Sequence, residues 1–296
     1  MKLSESVGFL LHRCSDLKAL RAGLSLHAAV LKSGMQSHTV VANHVINMYA
    51  KCGRINSAHQ VFDEMRERNL VSWAALICGY DQSHEPLVAI QLYSRMPLAP
   101  NEFVLASVIS ACASVGSLVH GQRAHARALK LGYAPISFVS NALISLYMKC
   151  GLCDGALAVF GCSTLVPNSI SHNTLLAGFV ENGQPARGLE VFESMCRHGF
   201  IPDRFSFAGA LGACTDAVNL QGGLQLHCQT MKLKLDSTAF VGNTIMSMYS
   251  KFDLIEQVEK VFMEIEEKDI ISWNTLIAAC SQCDNYLKGL SFFKGC

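Results

Sequence analysis

The chain is short of charge: Lys, Arg, Asp and Glu make up only 16% of its 296 residues and almost cancel, at a net +1. A protein that holds nucleic acid mainly by neutralising phosphates is normally clearly basic. The charge balance weighs against that mode, so any nucleic-acid recognition here must draw on base edges and stacking. Long apolar runs are missing too. None reaches the roughly 18 residues that would cross a bilayer, and the apolar half of the sequence is spread through amphipathic stretches. No membrane partner is expected. No secretory signal precedes the 13 cysteines, whose odd number disfavours a disulfide framework, so free thiols in a reducing compartment are expected. The first residues, MKLSESVGFL, are not an Arg-rich, Ser-rich transit peptide; either there is none or the true N-terminus lies elsewhere. No Gly-rich phosphate loop occurs, and the scattered Ser, Cys, His and Asp residues give no basis for arguing a nucleophile arrangement.

What the sequence has is repetition, the first thing to look for because it decides the fold. Asn47–Gly53 (NMYAKCG) returns as Ser145–Gly151 (SLYMKCG) and as Ser247–Asp253 (SMYSKFD). Val71–Tyr80 (VSWAALICGY) returns as Ile170–Phe179 and Ile271–Cys280. Ser107–Leu118 (SVISACASVGSL) matches Gly209–Leu220 and, more weakly, Phe9–Leu20. Three unlike units alternate, and the set recurs about every hundred residues.

Each unit reads as two amphipathic helices around a short turn. Val41, Val45, Ile46 and Tyr49 make one apolar face, Gly53 suits a helix C-terminus, and Ile55, Ala58, Val61, Phe62 and Met65 form a second stripe. No period-2 alternation is sustained. A single hairpin of this kind cannot bury its apolar face, so neighbours must stack on it. The expected fold is an all-α, right-handed superhelical solenoid of about nine helix-turn-helix repeats.

In its recurring strings MYAKCG, VFDEM (Val61–Met65), SWNTLI (Ser272–Ile277) and SACAS (Ser110–Ser114), the chain resembles the plant pentatricopeptide repeat family. The match is to the subclass that alternates long, short and standard motifs. Tetratricopeptide repeats fit less well, because their spacing is uniform and their Trp/Leu-Gly/Tyr signature is missing. In the family's phase, residues 4–296 form one array with units 4–38, 39–69, 70–101, 102–136, 137–168, 169–203, 204–238, 239–269 and 270–296. The last unit stops inside its second helix when Gly289–Phe293 is aligned on Gly188–Phe192, so the chain is expected to be part of a longer one.

The resemblance implies sequence-selective binding of single-stranded organellar RNA, one base per unit. Residue 5 of each motif and its last residue would read the base edge. Those positions hold Asn43 with Asn69, Asn141 with Asn168, Asn173 with Asp203, Asn243 with Asp269, and Asn274. The helical period supports the placement, since Asn43 lies about 200° around the helix from Val41. An amide offers both donor and acceptor; the plainer alternative is that these asparagines cap helices. Residue 2, expected to stack on the base, is Val40, Val71, Phe103, Phe138, Ile170, Phe205, Phe240 or Ile271, while the first unit has Glu5. Ordinary packing between repeats is the competing explanation. The long motifs carry Gly8, Ala106 and Ala208 with His38, Ile136 and Thr238, and the third unit Ala74 with Asn101; all four are expected to be silent or poorly specified. By the family's pattern the target reads n-Y-n-n-Y-U-n-U-Y, 5′ to 3′.

Cys150/Cys153 and Cys280/Cys283 have zinc-ligand spacing, yet Cys150 stands where Phe252 stands, and Cys280 where Tyr80 and Phe179 stand. Exchange with aromatics points to packing. His27, His125 and His227 recur at one register about a hundred residues apart, which favours a structural role. Editing members of the family carry a deaminase domain with His-x-Glu and Pro-Cys-x-x-Cys, and neither occurs here. No catalytic residue, metal or other cofactor is expected. The expected role is an adaptor in RNA processing, C-to-U editing by resemblance, in a mitochondrion or chloroplast, with an editing-complex protein or deaminase as partner. The alternatives are a protein–protein scaffold and a zinc enzyme.

Overall fold

The structure, a computed structural model, describes residues 3–162 and 168–282. Contacts divide the chain into two compact units, Met1–Leu165 and Val166–Cys296. The first contains α1 (Leu3–Asp16), α2 (Leu20–Lys32), a 3-10 turn (Met35–Ser37), α3 (Thr39–Lys51), α4 (Ile55–Glu64), α5 (Leu70–Gln82), α6 (Pro86–Arg95), α7 (Glu102–Ser114), α8 (Leu118–Lys130), α9 (Ser137–Lys149) and α10 (Cys153–Cys162). The second contains α11 (Ser169–Glu181), α12 (Pro185–Arg197), α13 (Arg204–Asp216), α14 (Leu220–Lys232), α15 (Ala239–Lys251), α16 (Ile255–Glu264) and α17 (Ile270–Gln282). Among the described residues there is no strand, and no helix is long and apolar enough to cross a membrane.

Successive helices pair as antiparallel hairpins, and the odd-numbered helices of each unit also pack on one another. An odd helix therefore meets its own partner and two like helices, whereas an even helix is covered on one side. Burial follows: α3 buries Val41, Ala42, Asn43, Val45, Ile46, Met48 and Tyr49, but α4 only Ile55, Ala58 and Phe62. This is why α7 (EFVLASVISACAS) is apolar nearly all round and α8 (LVHGQRAHARALK) is not.

The turn inside a hairpin closes with a left-handed residue. Gly53 (φ 72°) and Gly151 (φ 75°) fill that place in the KCG strings, and Arg54 N–H and Leu152 N–H then donate back to the carbonyls of Tyr49 and Tyr147 at 2.8 Å. The related string SKFD puts Asp253 there at φ 57°. Pro86 and Pro185 open α6 and α12 at a position where the missing N–H costs nothing.

The eleven described cysteines are free thiols. Cys153 and Cys280 are core residues, and Cys52, Cys150 and Phe252 pack against the core from one and the same turn position. Cys283 and the 289–293 segment lie outside the described residues. The recurring histidines each hold a tyrosine of the next hairpin: the Nδ1 atoms of His27, His125 and His227 lie 2.8, 2.7 and 2.7 Å from the hydroxyls of Tyr49, Tyr147 and Tyr249.

Candidate nucleic-acid interface

The site is built at the N-termini of the odd helices. Asn69, Asn101, Asn168 and Asp203 are N-caps, each accepting from the backbone N–H of the third helical residue at 2.8–3.0 Å. Asp269 accepts likewise from Ser272 N–H at 2.7 Å. The capping alternative thus describes the last residue of a motif. It does not describe Asn43, Asn173 or Asn243, which sit inside α3, α11 and α15.

The interior asparagines reach those caps. Asn43 Nδ2 donates to Asn69 Oδ1 at 3.2 Å, Asn173 Nδ2 to Asp203 Oδ1 at 3.1 Å, and Asn243 Nδ2 to Asp269 Oδ1 at 3.3 Å. Each pair thus joins the middle of one odd helix to the start of the next. Asn141 stands in α9 of the first unit and Asn168 caps α11 of the second. Asn274 is exposed in α17. Helix geometry alone places these amides away from the core, but neighbouring helices leave Asn43 and Asn243 only 7% and 8% exposed.

A third residue, missed by the sequence reading, completes two of the pairs. Ser72 Oγ accepts from Asn69 N–H at 3.2 Å and donates to Asn43 Oδ1 at 2.7 Å. Ser206 Oγ accepts from Asp203 N–H at 3.1 Å and donates to Asn173 Oδ1 at 2.7 Å. In the last pair the Ser272 hydroxyl instead donates to Asp269 Oδ1 at 2.9 Å, and Asn243 Oδ1 is buried without a partner.

Three of the caps, Asn69, Asp203 and Asp269, are exposed, and their remaining groups define what they can bind. Asn69 Oδ1 is occupied by Ser72 and Asn43, which leaves its Nδ2 as a donor. Burial pushes the Asp203 carboxyl upwards, but the N–H groups of Ser206 and Phe205, the Ser206 hydroxyl and Asn173 outweigh it and hold the pKa below the ordinary value. Asp269 is held low by the N–H and hydroxyl of Ser272 and by Asn243. Both are therefore anionic acceptors at neutral pH.

All eight apolar residues at motif position 2 are exposed on the N-terminal turn of an odd helix. Val40, Val71 and Phe103 share a groove of about 620 Å³ with Asn43, Asn69 and Asn101. Phe103 and Phe138 already stack on each other, 5.3 Å between centroids and 11° between planes. A ring inserted between them needs two contact distances, about 7 Å, so these two must part to admit a base. Phe205 and Phe240 meet edge to face at 5.3 Å, with the Arg204 guanidinium over the Phe205 ring.

The family profile described as PPR repeat matches residues 40–70, 138–162, 170–200, 243–270 and 271–295. Among curated relatives from Arabidopsis thaliana, pentatricopeptide repeat-containing protein At3g24000, mitochondrial, is 37% identical over 276 residues, 92% of this chain and 43% of that one. Pentatricopeptide repeat-containing protein At1g11290, chloroplastic, is 31% identical over 96% of this chain and 36% of its own length. The chain thus spans less than half of the curated relatives it matches. Among solved structures, the pentatricopeptide repeat protein PPR10 in complex with an 18-nt psaJ RNA element aligns with a TM-score of 0.75 at 18% identity, over 92% of this chain and 42% of that one. PPR10 from maize aligns at 0.61 and 17% identity, over 98% of this chain and 53% of that one. That likeness establishes the helical-repeat solenoid fold.

Proposed function

The chain belongs to the pentatricopeptide repeat family, and from that premise we propose that it binds single-stranded RNA sequence-selectively, one base per unit. The observation that carries the proposal is the repeated pairing of an interior Asn with an exposed Asn or Asp cap beside an exposed apolar side chain. The PPR10 solenoid, of the same fold, is known in complex with an RNA element.

The chemistry of the caps supports particular base preferences. Anionic Asp203 and Asp269 can only accept, and the Watson–Crick edge of uracil offers N3–H as a donor. The free Nδ2 of Asn69 donates, which suits N3 of cytosine; Asn168 is expected to do the same. Taking the nine units as one array of alternating long, short and standard motifs, the target is n-Y-n-n-Y-U-n-U-Y. The apolar residues at position 2 stack on the bases. Long-motif units and the third unit make no base-specific contact. The chain acts as an adaptor in mitochondrial or chloroplast RNA processing, C-to-U editing in particular, and brings an editing-complex protein or deaminase to its site. The organelle follows the names of the relatives.

The test is Asn173→Thr with Asp203 kept, which gives the pair that favours guanosine in this family. Preference at the sixth nucleotide should move from uridine to guanosine by roughly 1–3 kcal/mol, the scale of one good base contact, while other positions keep theirs. Four oligonucleotides differing only there, measured at one salt concentration, decide it. No uridine preference in the wild type, or no shift in the variant, sinks the proposed code. Absence of RNA binding altogether leaves the protein-scaffold alternative.

A further inference from the structure

One position divides the units into two kinds. The third residue of each odd helix from α3 onward is serine wherever the preceding unit carries Asn at motif position 5: Asn43 with Ser72, Asn141 with Ser171, Asn173 with Ser206, Asn243 with Ser272. It is valine wherever that unit carries Gly or Ala: Gly8 with Val41, Ala74 with Val104, Ala106 with Val139, Ala208 with Val241. No unit breaks the rule.

We propose that this serine, where its hydroxyl reaches the asparagine as at Ser72 and Ser206, is the positioning residue that sets which edge of the amide faces the cap, and so decides whether a unit reads a base. The proposal rests on the RNA-binding reading above. An amide can turn its oxygen and its nitrogen either way round, and the two orientations offer opposite hydrogen-bonding groups. Whereas Ser272 is turned to Asp269 Oδ1 and leaves Asn243 Oδ1 without a partner, Ser72 and Ser206, both fully buried, donate to the asparagine Oδ1 at 2.7 Å. That contact fixes Oδ1 inward and commits Nδ2 to the cap oxygen at 3.1–3.2 Å. One cap oxygen is thereby occupied, and the group that remains is Nδ2 at Asn69 and the second carboxylate oxygen at Asp203. A valine in this place cannot donate, and an asparagine against it would bury an unsatisfied carbonyl. Gly or Ala opposite valine removes that cost and the reading group together. Serine and asparagine therefore come as a pair or not at all.

The test uses two sets of variants, one of which needs no RNA. Ser206→Val should abolish the uridine preference at the sixth nucleotide, from on the order of tenfold to none, while preferences at the fifth and eighth nucleotides persist. Ser206→Thr, which keeps the hydroxyl, should retain it. Equal weakening towards all four bases with the preference kept would make Ser206 a structural residue only and overturn the proposal. So would a Ser206→Val protein that discriminates like the wild type. The second set installs the pair in the third unit, where Asn101 already caps α7 but Ala74 and Val104 occupy the two places. Ala74→Asn and Val104→Ser should each lower the melting midpoint, and the double variant should melt higher than the sum of the two effects predicts. With RNA, only the double variant should gain a pyrimidine preference at the third nucleotide. Additive melting shifts refute the positioning contact itself, whatever the chain binds. A positive coupling in a protein without RNA selectivity upholds that contact and refutes the RNA reading, and with it the serine's role in reading.

Discussion

Successive hairpins are fastened in two different ways, and the difference separates the units proposed above as short and standard motifs from those proposed as long. After a short or standard motif the next odd helix begins at an Asn or Asp that caps it, and three of these caps also receive the amide of an interior asparagine. After a long motif it begins at His38, Ile136 or Thr238, none of which caps with its side chain. There the fastening is a His–Tyr hydrogen bond between the even helix and the next odd helix. The α4–α5 junction carries both devices, because His59 Nδ1 lies 2.6 Å from the Tyr80 hydroxyl. Each cap in an Asn pair has a structural role and, in the function proposed above, a recognition role as well. The His–Tyr pair, by contrast, fixes a junction without an Asn or Asp cap, which suits units proposed to be silent.

The largest effect should come from removing a cap that serves both roles. Asp203→Ala strips α13 of its capping box and Asn173 of its acceptor, and should cost about 1–2 kcal/mol of stability, whereas Thr238→Ala should cost a few tenths. Chemical denaturation of the two variants compares them directly. Equal losses would erase the distinction between the two junctions. Next comes the turn inside the long hairpins, where Lys18, Gly116 and Val218 occupy one left-handed position at φ 50°, 64° and 53°. A β-branched residue is strained there, and Val218 is exposed, so nothing packs to compensate. Val218→Gly should therefore stabilise the protein by about 1 kcal/mol, read as a higher melting midpoint. Removing a His–Tyr bond is next in size: Tyr147→Phe leaves the Nδ1 of half-buried His125 unpartnered, at a cost of about 1 kcal/mol. If that variant melts like the wild type, the bond does not fasten the long-motif junction.

Much of this was legible beforehand because a helical repeat writes its fold into local periodicity. Val41, Val45, Ile46 and Tyr49 form the buried stripe that their spacing predicts. Cys280 is a core residue, as its exchange with Tyr80 and Phe179 implies. Other features depend on neighbouring helices and were not visible. Asn43 turns away from the Val41 stripe, but the period of one helix cannot show that α5 comes close enough to bury it. Helix-cap chemistry, which the residue type alone allows for the interior asparagines, belongs instead to the motif ends. Ser72 and Ser206 carry no local signal, since a small polar residue inside SW or SF strings stands out only against the valine of other units. The His–Tyr pairs had a usable signal, a constant separation of 22 residues at all three long motifs.

The smallest effect should be a dependence of stability on mild acid, confined to the long-motif junctions. Burial lowers the pKa of His27, His125 and His227 from the ordinary 6.5, while Glu64 pulls His27 back upwards, and Asp236 and Glu264 do so for His227. His125 has no such carboxylate. Between the lowered folded value and 6.5 the unfolded chain binds more protons than the folded one. The stabilisation is thus complete above about pH 6.5 and is lost as pH falls below it. Protonation also puts a hydrogen on both ring nitrogens, so the tyrosine hydroxyl can then only accept from Nδ1. Melting midpoints should fall from pH 7.5 to pH 5.5, and His125→Gln should flatten that slope more than His27→Gln or His227→Gln. His44, also lowered by burial and by neighbouring His12, leaves a remainder in every variant. Asp203 and Asp269 stay ionised across this range, so the capped junctions should not contribute. A slope that survives removal of all three long-motif histidines, or that vanishes on Asp203→Asn, would place the acid sensitivity at the caps and dissolve the contrast between the two kinds of junction.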